Sequence, residues 1–460
     1  MTLVRKLALG VLSVATTASA AMAQTGAATP TTYRGPLSFG GTVAITVDAP
    51  SAGKVQVRFD DSPLGLQGTI VGSYTVRHGE YTVRKFSSDT AEPPPEALAT
   101  RLRGVGLRFT RQDERLSGGI SGLPNPAVTA RNARLAGVVH ASAATTLPAL
   151  ASIAGVYTYV RQQSAPAPSV SQSMTAAEPQ PAKPGIDSGQ FRVDRAGTMW
   201  PCQGADCLSP ANGAPVHKLE PADQTRWPGA FAITTDGKPG GRLYVAGQPG
   251  DHILYVAHRD DGGGGIGGGI GSAVMRTAAQ VPSAVPSGRW RCQHPTTRVD
   301  AQTGIHAYRG TLQTETLEMS GPSVRNRNLQ RPVVWRLDPS RGAMGRESAR
   351  NPERQSVPEG TAPEAQGLYW VSWTPQRHQA FLPLDANTMT YLLQSTVPAS
   401  PLDQMGVCHR QQVAATRARR TNAKTGKKAG MKADMKTAIS AAATGTKWAS
   451  RQTPAQGKTQ

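Results

Sequence analysis

Residues able to do chemistry are few in this chain and stand far apart. Among 460 residues there are 4 cysteines, Cys202, Cys207, Cys292 and Cys408. Cys202 and Cys207 have four residues between them, which is not the C-x-x-C spacing of thiol oxidoreductases. Cys292-x-His294 and Cys408-His409 together offer two sulfurs and two imidazoles, a tetrahedral zinc set. Adjacent Cys and His ligands fit one ion awkwardly, and an even number of cysteines in an exported chain points to disulfides. The expected pairs are Cys202–Cys207, closing a tight loop, and Cys292–Cys408, tying the start of the late strands to the end of the folded region.

His252 and His258 flank a strand-like run, with Asp251, Asp260 and Asp261 nearby. Six residues of strand span roughly 20 Å, so the two imidazoles point the same way without sharing an ion. Residues 260–271 match G-x-G-x-x-G only because any glycine run does. The helix and ribose-binding acid of a dinucleotide site do not follow, so no cofactor site is expected. G-x-S-x-G, H-E-x-x-H, Walker A and EF-hand patterns are absent from the sequence. A catalytic set assembled from distant residues leaves no such local trace. Arg58, Arg77, Arg84 and Arg108 alternate with apolar residues. They form either a solvated outer sheet face or a basic face for an acidic glycan, a lipid head group or a nucleic acid.

The elements that would carry these residues are strands. Short runs rich in Val, Thr, Tyr and Phe recur between turn residues, and the chain holds 49 Gly and 36 Pro. Alternation marks Gly41–Val47, Lys54–Phe59, Thr69–Tyr74, Glu80–Phe86, Val105–Thr110, Ala127–Leu135 and Gly155–Val160, with His78-Gly79 reading as a hairpin turn. Glu92–Ala99 reads as a loop leading into a short helix. The later half continues in the same grammar and carries six of the 7 tryptophans. Their expected role is core packing, the alternative being a sugar-stacking surface around Trp370 or Trp373.

The sequence therefore predicts an all-β protein: two β-sandwich or barrel-like domains, a Pro/Ala/Ser-rich linker and a disordered basic C-terminal tail. The expected divisions are a signal peptide at 1–23, an N-terminal β domain at 24–162, the linker at 163–185, a disulfide-containing β domain at 186–413 and the tail at 414–460. Arg5 and Lys6, a short apolar stretch and Ala21-Met22-Ala23 form the signal, whose apolar run falls short of the ~20 residues needed to span a bilayer. No transmembrane segment is expected in the mature chain.

Net charge is +20. Half of that excess lies from Arg417 onward, where 11 Lys and Arg face the single acid Asp434. Arg417, Arg419, Arg420, Lys424, Lys427, Lys428, Lys432 and Lys436 are the candidate polyanion contacts, for an anionic glycan, lipopolysaccharide or another polyanion. The expected function is that of an exported, non-enzymatic binding protein, periplasmic, at the cell surface or extracellular, with the tail as an electrostatic tether and a protein partner at the envelope. Two alternatives stand beside it. One is a secreted hydrolase of an envelope polymer using a pair such as Asp251 and Asp260. The other is a structural subunit that pairs through exposed strand edges.

Overall fold

A computed structural model describes residues 29–49, 51–125, 134–164, 185–202, 207–210, 215–259, 270–278, 286–299, 306–320, 323–327, 333–334, 336–337, 367–374, 377–395 and 404–411. The chain is all-β, as its period-two patterning predicts. The described residues all fall in one compact unit, residues 1–412, and residues 413–460 lie outside the described residues.

Eight strands make the first ring. They are β1 (Thr31–Pro36), β2 (Thr42–Val47), β3 (Lys54–Asp61), β4 (Gly68–Arg77), β5 (Glu80–Ser88), β6 (Gly106–Gln112), β7 (Arg115–Pro124) and β8 (Arg134–Ser142). Each pairs antiparallel with the next. β1 and β8 close the barrel through Arg34 opposite Ser142 and a bridge between Leu37 and Val139. That seam depends on Gly35, since a Cβ there would stand 1.9 Å from the His140 carbonyl oxygen. Val43, Ile45, Val55, Val57, Ile70, Val83, Leu107 and Phe109 fill the interior, while their alternate neighbours face outward. His78 (φ 52°) and Gly79 (φ 78°) turn the chain from β4 into β5, and a primed two-residue hairpin needs positive φ of this kind. A short helix at Glu96–Ala99 follows the Pro-rich loop.

The second ring holds β9 (Gly155–Ser164), β10 (Gly185–Val193), β11 (Thr198–Pro201), β12 (His217–Pro221), β13 (Ala230–Thr235), β14 (Lys238–Ala246), β15 (Ile253–His258) and β16 (Ile270–Thr277). It too is an antiparallel meander, closed by β16 against β9. This corrects the expected domain boundary. The 163–185 stretch leads from β9 to its hydrogen-bonded neighbour β10, with Gln163 opposite Gly185, so the strands on either side of the proline-rich segment belong to one barrel. Proline content is a local property and carries no information about which flanking strands pair.

The third sheet holds β17 (Gly288–Val299), β18 (His306–Ser320), β19 (Ser323–Asn326), β20 (Val333–Val334), β21 (Arg336–Leu337), β22 (Tyr369–Thr374), β23 (Arg377–Pro383), β24 (Thr388–Ser395) and β25 (Gln404–Arg410). β20 pairs with β19 and β21 with β22, with position 335 alone between them in sequence. β25 returns to pair with β17. The span expected as one domain, 186–413, thus holds most of one barrel and a further sheet.

The second disulfide sits in that closing pair. Cys292 and Cys408 stand opposite each other, 116 residues apart in sequence, and Cys202 pairs with Cys207. Cross-linking the first and last strands of a sheet removes the largest loop from the unfolded chain. By chain entropy this stabilises the fold by about 4–5 kcal/mol, against ~2 kcal/mol for the short loop. Cys292→Ser/Cys408→Ser is therefore expected to lower the urea midpoint far more than Cys202→Ser/Cys207→Ser, measured by tryptophan fluorescence. Equal shifts would contradict the staple role.

The rings pack through their outer faces. Val138, Val160, Tyr244, Tyr255, Val274, Leu382, Leu392 and Met405 form one apolar seam drawn from all three. β15 is buried at every position because its inner face fills its own barrel while its outer face fills this seam. Arg242 ties the first two rings by pairing with Asp61 and stacking 3.5 Å over the Trp227 ring. The Met405 backbone N–H donates to Gln162 Oε1 at 2.8 Å across the second and third.

Candidate functional site

The arginines that alternate along the first barrel come together with others from the third sheet. On β4, β5 and β6, pairing register sets the outward residues in three rungs: Ser73–Arg84–Gly106, Thr75–Thr82–Arg108 and Arg77–Glu80–Thr110. Their neighbours Val83, Leu107 and Phe109 point into the barrel, so these side chains must point out. β17 and β25 supply the facing wall. Trp290, Cys292 and Cys408 face the core of their own sheet, which turns Arg291 and His409 outward toward the first barrel. The space between is a cleft of about 620 Å³ lined by Arg77, Arg84, Arg108, Arg291 and Arg410, with hydroxyl and amide side chains around them.

Glu80 is the one carboxylate in this lining among the described residues. Its Oε2 lies 2.6 Å from Arg291 Nη1, and Gln293 Nε2 donates to its Oε1 at 3.2 Å. The side chains of Arg77, Arg84 and Arg108 form no hydrogen bond or ion pair with any described residue. Burial first, then the like charge of Arg291, pulls the Arg108 guanidinium below its usual value. At the floor, His409 Nδ1 and Thr110 Oγ1 are 2.8 Å apart. Burial pushes the His409 imidazole down to about 4, so it is neutral at physiological pH. The site thus gathers cationic forks with little internal compensation, an arrangement suited to anionic groups and hydroxyls.

Other sequence-predicted residues fall elsewhere. Arg58 lies in a separate pocket with Asp89 and Glu92 and pairs with Asp60 at 2.6 Å, so its charge is already balanced. Cys292 and Cys408 are joined, while His294 Nδ1 meets the Tyr391 hydroxyl at 2.8 Å inside the third sheet and His409 faces outward. The two imidazoles sit on opposite faces and cannot converge on one ion. His252 and His258 are both buried, and Asp251 Oδ1 accepts from Arg276 Nη2 at 3.0 Å. Trp200, Trp290 and Trp373 are buried, in the packing role expected of them. Asp260, Asp261, the glycine tract, the signal segment and the tail residues Arg417, Arg419, Arg420, Lys424, Lys427, Lys428, Lys432 and Lys436 lie outside the described residues. Arg291, Arg410 and Glu80 join the site without having stood out in the sequence, and His409 joins it as a neutral floor residue and not as a metal ligand. The outward alternation of Arg289 and Arg291 around Trp290 was a usable signal, but nothing local says that β17 faces β5.

No helix among the described residues is long and apolar enough to cross a membrane. No family model matches the chain, and no curated protein matches it. Among solved structures, it is similar to intact Ap-TbpB (N and C lobes), at 9% identity over 81% of this chain and 67% of that one. The TM-score of that superposition is 0.17, which carries no argument about fold or function.

Proposed function

We propose that this chain is an exported binding protein whose ligand is anionic and sits in the cleft between the first barrel and the third sheet. The carrying observation is the convergence there of Arg77, Arg84, Arg108, Arg291 and Arg410, three of whose side chains have no hydrogen-bonding or ion-pairing partner among the described residues. Export is supported by the N-terminal signal pattern and by the pairing of every cysteine, since disulfides persist in oxidising compartments. The basic tail adds a second, sequence-independent attraction for the same polyanion.

Retention on an immobilised sulfated glycan tests this reading. Protein ending at Gln412 is expected to stay bound at low salt and to elute earlier than the full chain. Flow-through of the truncated protein at low salt would assign all binding to the tail and exclude the cleft.

A further inference from the structure

The chemistry of the cleft wall narrows the anion to one class, on the assumption that the cleft is a binding site. Arg84, Arg108 and Arg77 occupy successive rungs, on β5, β6 and β4. Rungs on one face repeat every ~6.7 Å, twice the residue rise of a strand. The three cations are therefore spread over three rungs and three strands of the face, which suits several anionic groups carried on one chain better than one isolated phosphate.

What lies between the cations separates the polymers. The lining carries no Phe, Tyr or Trp among the described residues, and it places Ser73, Thr75, Thr82 and Thr110 among the arginines. Single-stranded nucleic acid is held by stacking on aromatic rings, about 1–3 kcal/mol per base, and this wall offers none. Insertion into a membrane interface takes apolar groups, and Val76, at 48% exposure, is the one large apolar side chain exposed on the β4–β5 hairpin, which leaves a membrane only the electrostatic attraction that any polyanion shares. Hydroxyls both donate and accept, as sugar hydroxyls require, and guanidinium forks match planar carboxylates and sulfates in bidentate pairs. A volume of about 620 Å³ suits a short segment of chain.

We propose that the cleft binds a segment of an acidic polysaccharide bearing carboxylate or sulfate groups. The test uses the full chain, so that the tail is constant, and three labelled probes at physiological salt: a sulfated hexasaccharide, an oligothymidylate of equal charge and vesicles of anionic phospholipid. The glycan is expected to bind at least 10-fold more tightly than the oligothymidylate. Arg84→Lys/Arg108→Lys, which keeps charge but loses the forks, is expected to weaken glycan binding about 10-fold and to leave the oligothymidylate unchanged. Oligothymidylate or vesicles bound as tightly as glycan, and released in Arg77→Ala/Arg84→Ala/Arg108→Ala, would overturn the glycan class while keeping the cleft. Identical binding of every probe by wild type and the alanine variant would overturn both.

Discussion

Arg77→Ala/Arg84→Ala/Arg108→Ala is expected to weaken binding of a sulfated oligosaccharide about 100-fold while leaving the fold intact. Exposed ion pairs contribute up to ~1 kcal/mol each, and hydrogen bonds to charged groups about 1.5–3 kcal/mol. Removing three guanidinium–anion interactions at the lower figure therefore costs ~3 kcal/mol, or about two decades of affinity. Arg77 and Arg84 are exposed and Arg108 is half-buried among other cations, so removing them opens no core cavity and breaks no ion pair among the described residues. The melting temperature is expected to stay within a few degrees or rise, because like charges are separated. The salt dependence should also flatten, by close to one unit of slope per arginine removed. Unchanged affinity with unchanged slope would show that these arginines are a solvated surface and no more.

A second large effect is expected from acid. Burial holds His140 down to about 3, and His217, His294 and His409 down to about 4, below the ordinary histidine value of 6.5. These imidazoles are neutral in the fold, and the unfolded chain binds their protons first. Their contribution is complete above pH 6.5 and declines as pH falls from there toward 4. At pH 5 each costs about 2 kcal/mol, so several together take a large share of the 5–15 kcal/mol typical of a folded domain.

Two of them bridge separate sheets. His140 lies 3.0 Å from Ser117 Oγ and stacks on Tyr255 of the second barrel, and His409 touches Thr110 of the first. Both sit where the rings meet, and His409 depresses His140 beyond the effect of burial. Asp60 and Asp385, raised by burial, act in the opposite sense and offset part of the loss. Urea midpoints should fall steeply between pH 7 and pH 5, and His140→Gln/His409→Gln should flatten that dependence. A flat profile in the wild type would contradict the buried neutral state.

Most strands are legible in the sequence because alternation is local. Val55, Val57 and Phe59 share a face in sequence and in the barrel. β7, reading Arg-Leu-Ser-Gly-Gly-Ile-Ser-Gly-Leu-Pro, is not, because glycine hides the alternation that its neighbours Phe109 and Val138 complete in space. β15 reads as uniformly apolar because both its faces are covered, which depends on a seam that draws in residues more than a hundred positions away, such as Val138 and Leu382. The same limit governs the site. Arg77, Arg84 and Arg108 are visible as a basic face, whereas Arg291, Arg410 and the Glu80 counter-charge join them only because the first barrel meets the third sheet. Pairing across a closed ring is a long-range property, and a proline-rich stretch between β9 and β10 looks like any linker until those strands are seen to pair.

Hydrogen–deuterium exchange of the full chain, with and without a sulfated hexasaccharide, tests binding in the cleft most directly because it locates the ligand. Slowed exchange is expected in peptides covering 73–84, 106–110 and 404–411, together with any protection in the tail. Protection confined to residues 414–460, with the cleft peptides unchanged, would contradict binding in the cleft.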